Sequence, residues 1–244
     1  MRIEKIHNLT LIHGDCMEVM EEYQDNEFDL AIVDPEYGIG DSHFRDKSKY
    51  VLQKNGAKIF QLSGQYKKKD WDNKPADKSY FDKLLTVTKE QIIWGVNFYN
   101  YVFGKGRIVW DKLNDHSDQY DCEIAYCSLN DRTYIVRYMW AGFMQGAQVS
   151  KDSKTALLQQ GNKALNEKRI HPTQKPVKLY EWLLTNYANP DQKILDTHGG
   201  SMSLALACHN LGFEATIIEI DEDYFNSALQ RIEDHVKQIR MEFA

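Results

Sequence analysis

Four residues at the end of an apolar run have the chemistry to hold a flat ring that carries an amine. The stretch FDLAIVDPEYGIG (28–40) passes from a nearly continuous apolar run into Asp34, Pro35, Glu36 and Tyr37. The carboxylate of Asp34 and the carbonyl of Pro35 both accept hydrogen bonds, and two such acceptors side by side suit an amino group with two protons. The ring of Tyr37 can stack on a flat ligand. The alternative is a strand followed by a proline turn, which is common in α/β proteins.

A glycine turn near the other end of the chain predicts a nucleoside-like ligand. The stretch KILDTHGGSMSLALACHNLGFEATIIEID (193–221) is typical of a strand, a turn, a helix and a second strand. Gly199 and Gly200 permit a tight turn and the close approach of a ligand to the backbone. Glu219 follows Gly199 by 20 residues, the spacing at which nucleotide-binding α/β folds place a carboxylate on ribose hydroxyls. The run lacks a strict G-x-G-x-x-G and a Walker-type lysine, so adenosine without phosphates fits better; the alternative is a simple β-turn-α connection.

Strands and helices alternate along the chain and must position these two stretches. Apolar runs predict strands at 9–14, 28–34, 91–95, 107–111, 133–140, 193–196 and 214–220. Helices are predicted at 16–23, 78–87, 176–187, 203–210 and 222–239, whereas 122–128 fits either state. Alternation of this kind indicates βαβ units and a mostly parallel sheet with helices on both faces. Ligands of such open sheets bind beyond the carboxyl ends of the strands, where Asp34 lies.

We predict one α/β domain over residues 1–244, with two polar insertions at 38–78 and 142–172. The formal net charge of the chain is −6, but the charge is unevenly distributed. Basic residues outnumber acidic ones in 41–80 and again in 151–180, whereas acids dominate 1–40. Two basic segments in an acidic chain indicate a surface that faces a polyanion. The alternative is a solvated, lysine-rich loop.

Composition excludes several classes of protein. No apolar run approaches the ~18 residues that a membrane span needs, and the first residues lack the apolar core of a secretory signal. The four cysteines are scattered, and no second pair or matching histidines complete a zinc site. We therefore expect reduced thiols, a cytoplasmic location, no membrane and no metal.

Several motifs resemble those of the DNA methyltransferases that move a methyl group from S-adenosylmethionine to the amino group of adenine (N6) or cytosine (N4). DPEY (34–37) resembles their Asp-Pro-Pro-Tyr catalytic motif, and the other matching segments are LIHGD (11–15), HPTQKPVKLYEWLL (171–184), ILDTHGGSMS (194–203) and IIEIDEDYF (217–225). The segment at 70–99 is also similar to stretches in phage and bacterial members. The catalytic motif comes first and the cofactor loop last, which is the circular permutation of the beta group of that family.

The resemblance implies a Rossmann-like, three-layer, circularly permuted methyltransferase fold that binds S-adenosylmethionine and flips a base out of double-stranded DNA. It implies Asp34, Pro35, Glu36 and Tyr37 as catalytic residues, Asp15 on the cofactor adenine and Glu219 on its ribose. The methionine part would contact Asp196, Gly199, Gly200, Ser201, Thr173 and Lys175. The insertions at 38–78 and 142–172 become candidate DNA-contacting regions, and the protein is expected to be a monomer or a homodimer in a bacterial or phage-infected cell.

Two departures from the family pattern bear on the site. Glu36 replaces the second proline of the catalytic motif, and Thr197-His198 stands where many members have Pro-Phe, with Met202 where many have glycine. We expect Glu36→Pro to keep activity, since the acceptors and the tyrosine ring remain.

Four readings follow from these motifs. Aspartate at the start of the catalytic motif favours adenine, because related cytosine enzymes more often carry serine. The alternatives are cytosine N4 or RNA as substrate, a catalytically silent relative that binds DNA or cofactor, and, last, a nicotinamide-dependent oxidoreductase that uses 196–221.

Overall fold

A nine-stranded sheet forms the frame of the computed structural model, which describes residues 1–40, 49–52, 58–61, 69, 71–114, 120–141, 144–152 and 158–237. The strands are β1 (Arg2–Ile6), β2 (Leu9–His13), β3 (Phe28–Val33), β4 (Lys49–Leu52), β5 (Lys58–Gln61), β6 (Thr88–Trp94), β7 (Arg107–Asp111), β8 (Cys122–Cys127), β9 (Thr133–Arg137), β10 (Trp140–Ala141), β11 (Met144–Gln145), β12 (Lys193–Asp196) and β13 (Glu214–Glu219). The helices are α1 (Cys16–Met20), α2 (Lys78–Val87), α3 (Val177–Tyr187), α4 (Ser203–Leu211) and α5 (Glu222–Lys237), with a 3-10 turn at Lys163–Leu165.

The order of strands in the large sheet is β1-β2-β13-β12-β3-β6-β8-β7-β9. β2, β13, β12, β3 and β6 pair in parallel, β1 and β8 pair antiparallel with their neighbours, and β7 pairs in parallel with β9. The last two strands of the chain, β12 and β13, therefore lie between two of the first, β2 and β3. This arrangement is the mostly parallel sheet and the permuted order that the sequence predicts.

Alternate side chains of the central strands build a separate core on each face of the sheet. Leu30 and Ile32 of β3 belong to the core that also contains buried residues of α3, α4 and α5. Ala31 and Val33 point to the opposite face, where they join buried residues of α1 and α2. Helices on both faces of the sheet make the predicted three layers.

Helix α2 shows how the sequence fixes one of these layers. Asp77 is its N-cap, and the carboxylate accepts a hydrogen bond from the amide of Tyr80 at 3.1 Å. Phe81, Leu84 and Val87 are fully buried at positions three apart, so one face of the helix packs on the sheet. Among the described helices, none combines the length and the apolar character needed to cross a bilayer.

Some elements differ from the prediction. The helix expected at 16–23 ends at Met20, and the run at 122–128, which fitted either state, is β8. The insertion at 38–78 contains the β4–β5 hairpin, and the insertion at 142–172 contributes to the β10–β11 hairpin. The remaining parts of both insertions at 41–48, 53–57, 62–68, 70, 142–143 and 153–157 lie outside the described residues.

The strands of the parallel block all end at the same edge of the sheet. Gly14 follows β2, Asp34 follows β3, Gly95 follows β6 and Thr197 follows β12, and β13 ends at Glu219 itself. Residues from both ends of the chain therefore meet at this edge, as expected for the carboxyl ends of parallel strands.

Candidate active site

A cavity of about 610 Å³ opens at the carboxyl edge of the sheet. Its walls come from the loops after β2, β3, β12 and β13, together with the segments 71–80 and 171–175. Nine of the twelve predicted site residues line it: Asp15, Asp34, Glu36, Thr173, Lys175, Gly199, Gly200, Ser201 and Glu219. Pro35, Tyr37 and Asp196 are not among the lining residues. We call this space the site cavity.

Asp15 lies where β2 passes into α1. It is the N-cap of that helix, and its carboxylate accepts a hydrogen bond from the amide of Met17 at 2.7 Å. The preceding residue is tied to the neighbouring strand, because the amide of Gly14 donates to the carbonyl of Glu219 at 3.0 Å. Asp15 and Glu219 thus belong to adjacent strand ends on one side of the cavity.

The glycine turn after β12 is held by close backbone contacts. A Cβ atom on Gly199 would lie 2.8 Å from a side-chain carbon of Ile217, and Gly200 has a φ of +50°, so both positions favour glycine. The amide of Gly200 donates to one carboxylate oxygen of Glu219 at 2.6 Å, and the amide of Asp221 donates to the other at 2.8 Å. Burial raises the pKa of Glu219, and these two amides only partly offset that rise.

Asp196 lies behind the glycine turn and is buried. Its carboxylate accepts a hydrogen bond from the amide of His198 at 3.0 Å, and burial raises its pKa to about 7. Ser201 is also buried, and its hydroxyl is 3.0 Å from that of Ser203. Asp196 therefore supports the backbone of the turn from within the protein, whereas Ser201 lines the cavity.

Lys175, which is buried, joins two half-buried carboxylates at the cavity wall. Its Nζ atom lies 2.5 Å from Asp34 Oδ2 and 2.8 Å from Glu123 Oε2, and only 2% of its side chain is exposed. Glu123 is also 2.5 Å from the ammonium of Lys112. Burial lowers the pKa of Lys175, but the two carboxylates raise it by more, so the ammonium form is favoured. The family resemblance implies that Lys175 contacts the methionine part of the cofactor, including its carboxylate, whereas here the charge of Lys175 is engaged by Asp34 and Glu123.

Tyr37 packs within the protein. Its ring stacks on Phe98 with 4.7 Å between centroids and an interplanar angle of 12°. A Cβ atom on Gly95 would come within 2.1 Å of the same ring, so only glycine leaves room for it there. The hydroxyl of Tyr37 donates to Asp34 Oδ1 at 2.5 Å, and the hydroxyl of Tyr99 donates to the Pro35 carbonyl at 2.9 Å. Both predicted acceptors therefore already accept one internal hydrogen bond from a tyrosine.

The aromatic residues of the cavity wall were not predicted from the sequence. Trp71 stacks on His171 at 5.2 Å, and His171 meets the ring of Tyr224 at 4.3 Å. Burial lowers the pKa of His171 to about 3, which favours the neutral ring, and Thr173 contacts its Nδ1 atom at 3.1 Å. The segment that contains Trp71 is one of those that resemble family members, which was the available signal.

Asp72 ties the cavity wall to the loop after β3. Its carboxylate accepts from the amide of Gly38 at 2.8 Å, and its carbonyl accepts from the amide of Gly40 at 3.1 Å. The amide of Ala76 donates to the carbonyl of Glu36 at 3.1 Å. The segment 71–77 therefore lies against the loop that carries Asp34 and closes one side of the cavity.

Comparison with known proteins adds evidence that is independent of this geometry. A family model described as a DNA methylase matches residues 37–230. Protein YubD of Escherichia coli strain K12, a methylase by name, is 24% identical over 234 residues, which cover 91% of this chain and 88% of that protein. The type II methyltransferase M.HpaI of Haemophilus parainfluenzae is 22% identical over 251 residues, which cover 91% of this chain and 74% of that one.

Solved structures show the same fold at low identity. The crystal structure of an M1.HpyAVI–SAM complex matches 91% of this chain and 99% of its own, with a TM-score of 0.50 and 19% identity. The PvuII DNA methyltransferase, described as cytosine-N4-specific, matches 99% of this chain and 92% of its own, with a TM-score of 0.50 and 12% identity. These likenesses confirm the predicted fold over nearly the whole chain.

Proposed function

The chain belongs to the DNA methylase family of N6/N4 methyltransferases, and on that premise we propose that it transfers a methyl group from S-adenosylmethionine to the N6 amine of adenine in DNA. The family membership agrees with the resemblance of its motifs. The choice of adenine over cytosine as the target base rests on Asp34, the first residue of the catalytic motif.

The observation that carries the proposal is the shared cavity. Asp34 and Glu36 come from the loop after β3, whereas Gly200 lies in the turn after β12 and Glu219 ends β13, yet all four line one space of about 610 Å³. A single methyl group can pass only between reactants that lie in contact. Holding two reactants together in the reactive geometry contributes up to ~7–11 kcal/mol in the best cases.

The residues of the cavity fit S-adenosylmethionine. This cofactor, when bound, supplies an electrophilic methyl group on a sulfonium sulfur. Asp15 and Glu219 offer carboxylate oxygens for its adenine amine and ribose hydroxyls, and the glycine turn allows close approach of the methionine part. The amide of Gly200 already donates to Glu219, so this amide is not available to a phosphate. Thr173 remains the proposed contact for the cofactor carboxylate, because Lys175 is engaged by Asp34 and Glu123.

Asp34 and Pro35 are proposed to orient the target amine. The lone pair of an adenine amine is delocalised into the ring, so the amine is a weak nucleophile. Acceptors for both of its protons favour a pyramidal nitrogen whose lone pair points at the methyl group. A carboxylate has about four lone-pair positions and a carbonyl two, so each acceptor retains capacity beyond its present partners.

Two roles are proposed for Tyr37: its hydroxyl orients Asp34, and its ring stacks on the flipped base. Its hydroxyl holds Asp34 in place from within the protein. Phe98 already covers one face of the ring, so stacking on a flipped base, as the sequence suggests, would use the opposite face or require the ring to move. Extrusion of a base costs a few kcal/mol, and stacking of ~1–3 kcal/mol on an aromatic side chain would offset part of it.

One experiment tests the reaction and the base. The protein is incubated with methyl-labelled S-adenosylmethionine and unmethylated double-stranded DNA, and the labelled nucleoside is identified after digestion. We expect N6-methyl-2′-deoxyadenosine. N4-methyl-2′-deoxycytidine would identify cytosine as the target base instead of adenine, and no label despite cofactor binding would identify a silent relative.

Asp34→Ala supplies the matched test of the site. Loss of the acceptor should abolish transfer while cofactor affinity stays within a few-fold of the wild-type value, because Asp34 lies on the target side of the cavity. Near-normal turnover in this variant would remove Asp34 from the mechanism.

A further inference from the structure

Glu36 and His198, which both depart from the family's sequence pattern, contact each other in the site. The Nε2 atom of His198 lies 3.2 Å from Oε2 of Glu36. Glu36 belongs to the loop after β3 and His198 to the loop after β12, and these two strands are hydrogen-bonded neighbours, with Ile194 opposite Leu30. The contact therefore joins the loop that carries Asp34 to the glycine turn.

The imidazole of His198 is engaged at both nitrogens. Its Nδ1 atom is 2.9 Å from the hydroxyl of Thr197, which is in turn 2.6 Å from the hydroxyl of Tyr80. The ring of Tyr80 meets the imidazole edge-on at 5.1 Å between centroids. Only 16% of the His198 side chain and 26% of the Glu36 side chain are exposed. The pair is therefore fixed in place by α2 as well as by its own two loops.

The surroundings favour the charged form of both partners. Burial lowers the pKa of His198, but Glu36, Tyr80 and Cys16 together raise it by more, so that it lies well above its ordinary value. Burial raises the pKa of Glu36, but His198 lowers it by more. The pKa of His198 is raised and that of Glu36 is lowered, so both shifts favour the charged form, and the two residues form an ion pair at neutral pH.

We propose that Glu36 and His198 act as one positioning unit, an ion pair that sets the loop of the target-base acceptors against the loop that holds the methyl donor. Neither residue is assigned a chemical step, and this inference rests on the proposed methyl transfer. The two residues therefore depend on each other: each stabilises the site only when the other is present.

Interdependence follows from the cost of a half-buried charge without its partner. Removal of one member of a buried ion pair leaves the other charge uncompensated, whereas replacement of both by apolar residues is often tolerated. Glu36→Pro alone would leave the His198 imidazolium facing an apolar ring. The pair therefore revises the expectation drawn from the motif alone, because Glu36→Pro should impair the site unless His198 changes with it.

A double-mutant cycle tests the pair. Glu36→Pro and His198→Phe, the residues that many family members carry, are made singly and together, and kcat and KM for donor and DNA are measured. Each single variant should lower kcat by about 10-fold or more with smaller changes in KM, as expected for misplaced reactants. The double variant should return to within about 3-fold of wild type. Losses that multiply in the double variant, or single variants that match wild type, would overturn the proposal.

A second readout does not depend on catalysis. Urea unfolding of the same four proteins, without donor or DNA, should give lowered midpoints for both single variants and a recovered midpoint for the double variant. Proline at position 36 also restricts the backbone, so a second cycle uses Glu36→Gln and His198→Gln. The double variant of this cycle should show the same recovery of the urea midpoint. Additive midpoint losses in both cycles would contradict coupling.

A matched control uses an exposed ion pair far from the cavity. Lys237 lies 3.5 Å from Glu233 near the end of α5, with 69% and 42% of the side chains exposed. The variants Lys237→Met and Glu233→Met should show no coupling in either measurement. If wild-type protein yields no methylated nucleoside, the proposed function fails, whereas the urea cycle still decides whether the pair exists.

Discussion

The ammonium group of Lys175 shows how much depends on a single buried charge. It lies between Asp34 and Glu123 with 2% of its side chain exposed, so its removal would leave two carboxylates facing each other without it. We expect Lys175→Met to destabilise the protein by about 3 kcal/mol, the lower end of the range for a broken buried pair, since Lys112 still compensates Glu123. Urea unfolding at neutral pH measures this difference.

Lys178 provides the comparison for that variant. It lies one turn further along, 55% exposed, and pairs with Glu181 on the surface of α3. Lys178→Met should change the unfolding free energy by less than about 0.5 kcal/mol, because exposed ion pairs contribute little. Equal effects of the two variants would show that burial of Lys175 carries no special weight.

The Glu36–His198 pair predicts a pH window of stability. The histidine, whose pKa rises on folding from an ordinary 6.5, contributes fully below that value and loses its contribution as pH rises through the raised pKa. The glutamate, whose pKa falls from 4.5, contributes fully above that value and loses its contribution as pH falls through the lowered pKa. The groups that face the imidazole are Glu36, Cys16, Tyr80, Asp196 and Glu219.

The measurement compares wild type with Glu36→Gln across pH. The difference in unfolding free energy should be largest between about pH 4.5 and 6.5, where both members are fully charged, and should shrink on either side. A difference that stays constant from pH 4 to 9 would mean that the contact is not an ion pair.

At the residue scale, the spacing of residues along the chain predicted which side chains lie at strand ends. It did not predict the contacts between side chains across the site. Asp15, Asp34 and Glu219 each follow or end an apolar run, and all three line the cavity. The partners of Lys175 could not be predicted, because Glu123 reaches it only through the antiparallel strand β8, whose state the sequence left open. The family resemblance implied a ligand contact for Lys175, whereas the neighbouring strand supplies an internal one.

At the scale of elements, the turn after β6 sets the position of Tyr37. Gly95 has a φ of +74°, and a Cβ atom there would lie 2.1 Å from the Tyr37 ring. We expect Gly95→Ala to destabilise the protein by at least ~1–2 kcal/mol from backbone strain alone and to displace Tyr37 from Asp34. Urea unfolding measures the first effect, and the methyl-transfer rate, which should fall, measures the second.

Gly161 is the matched control for this turn. A Cβ atom there would meet nothing within 4 Å, so Gly161→Ala should leave the unfolding midpoint unchanged or slightly raised. A normal midpoint and normal turnover for Gly95→Ala would show that the Tyr37 contact with this turn is dispensable.

The hydrophobic pattern of the sequence predicted the buried strands, but it did not predict the strands at the sheet edge or in the small hairpins. The continuous apolar run of β3 is covered on both faces, as such runs usually are in parallel sheets. β1 was not predicted because three of the five residues of RIEKI are polar and do not alternate strictly with the apolar ones, and its strand state at the edge of the sheet depends on pairing with β2. The β4–β5 hairpin likewise lies within a polar segment that reads as a loop.

At the scale of the whole molecule, the proposed donor should stabilise the fold. A ligand that binds only the folded state adds about 2.7 kcal/mol at 100 times its Kd. We expect S-adenosylmethionine to raise the urea midpoint accordingly, and Glu219→Gln to reduce the shift at the same donor concentration, because Glu219 is a proposed ribose contact. A donor-independent midpoint for wild type would contradict binding in the site cavity.

The position of β12 and β13 between β2 and β3 has a consequence for biosynthesis. Ala215 of β13 pairs with Leu9 of β2, residues about 200 positions apart, and pairings of such long range are slow to form. As the ribosome extends the chain, β2 and β3 emerge well before β12 and β13, which pair with them in the folded protein. The nascent polypeptide therefore carries unpaired strand edges until β13 has been synthesised, and such edges favour aggregation and misassembly during that interval.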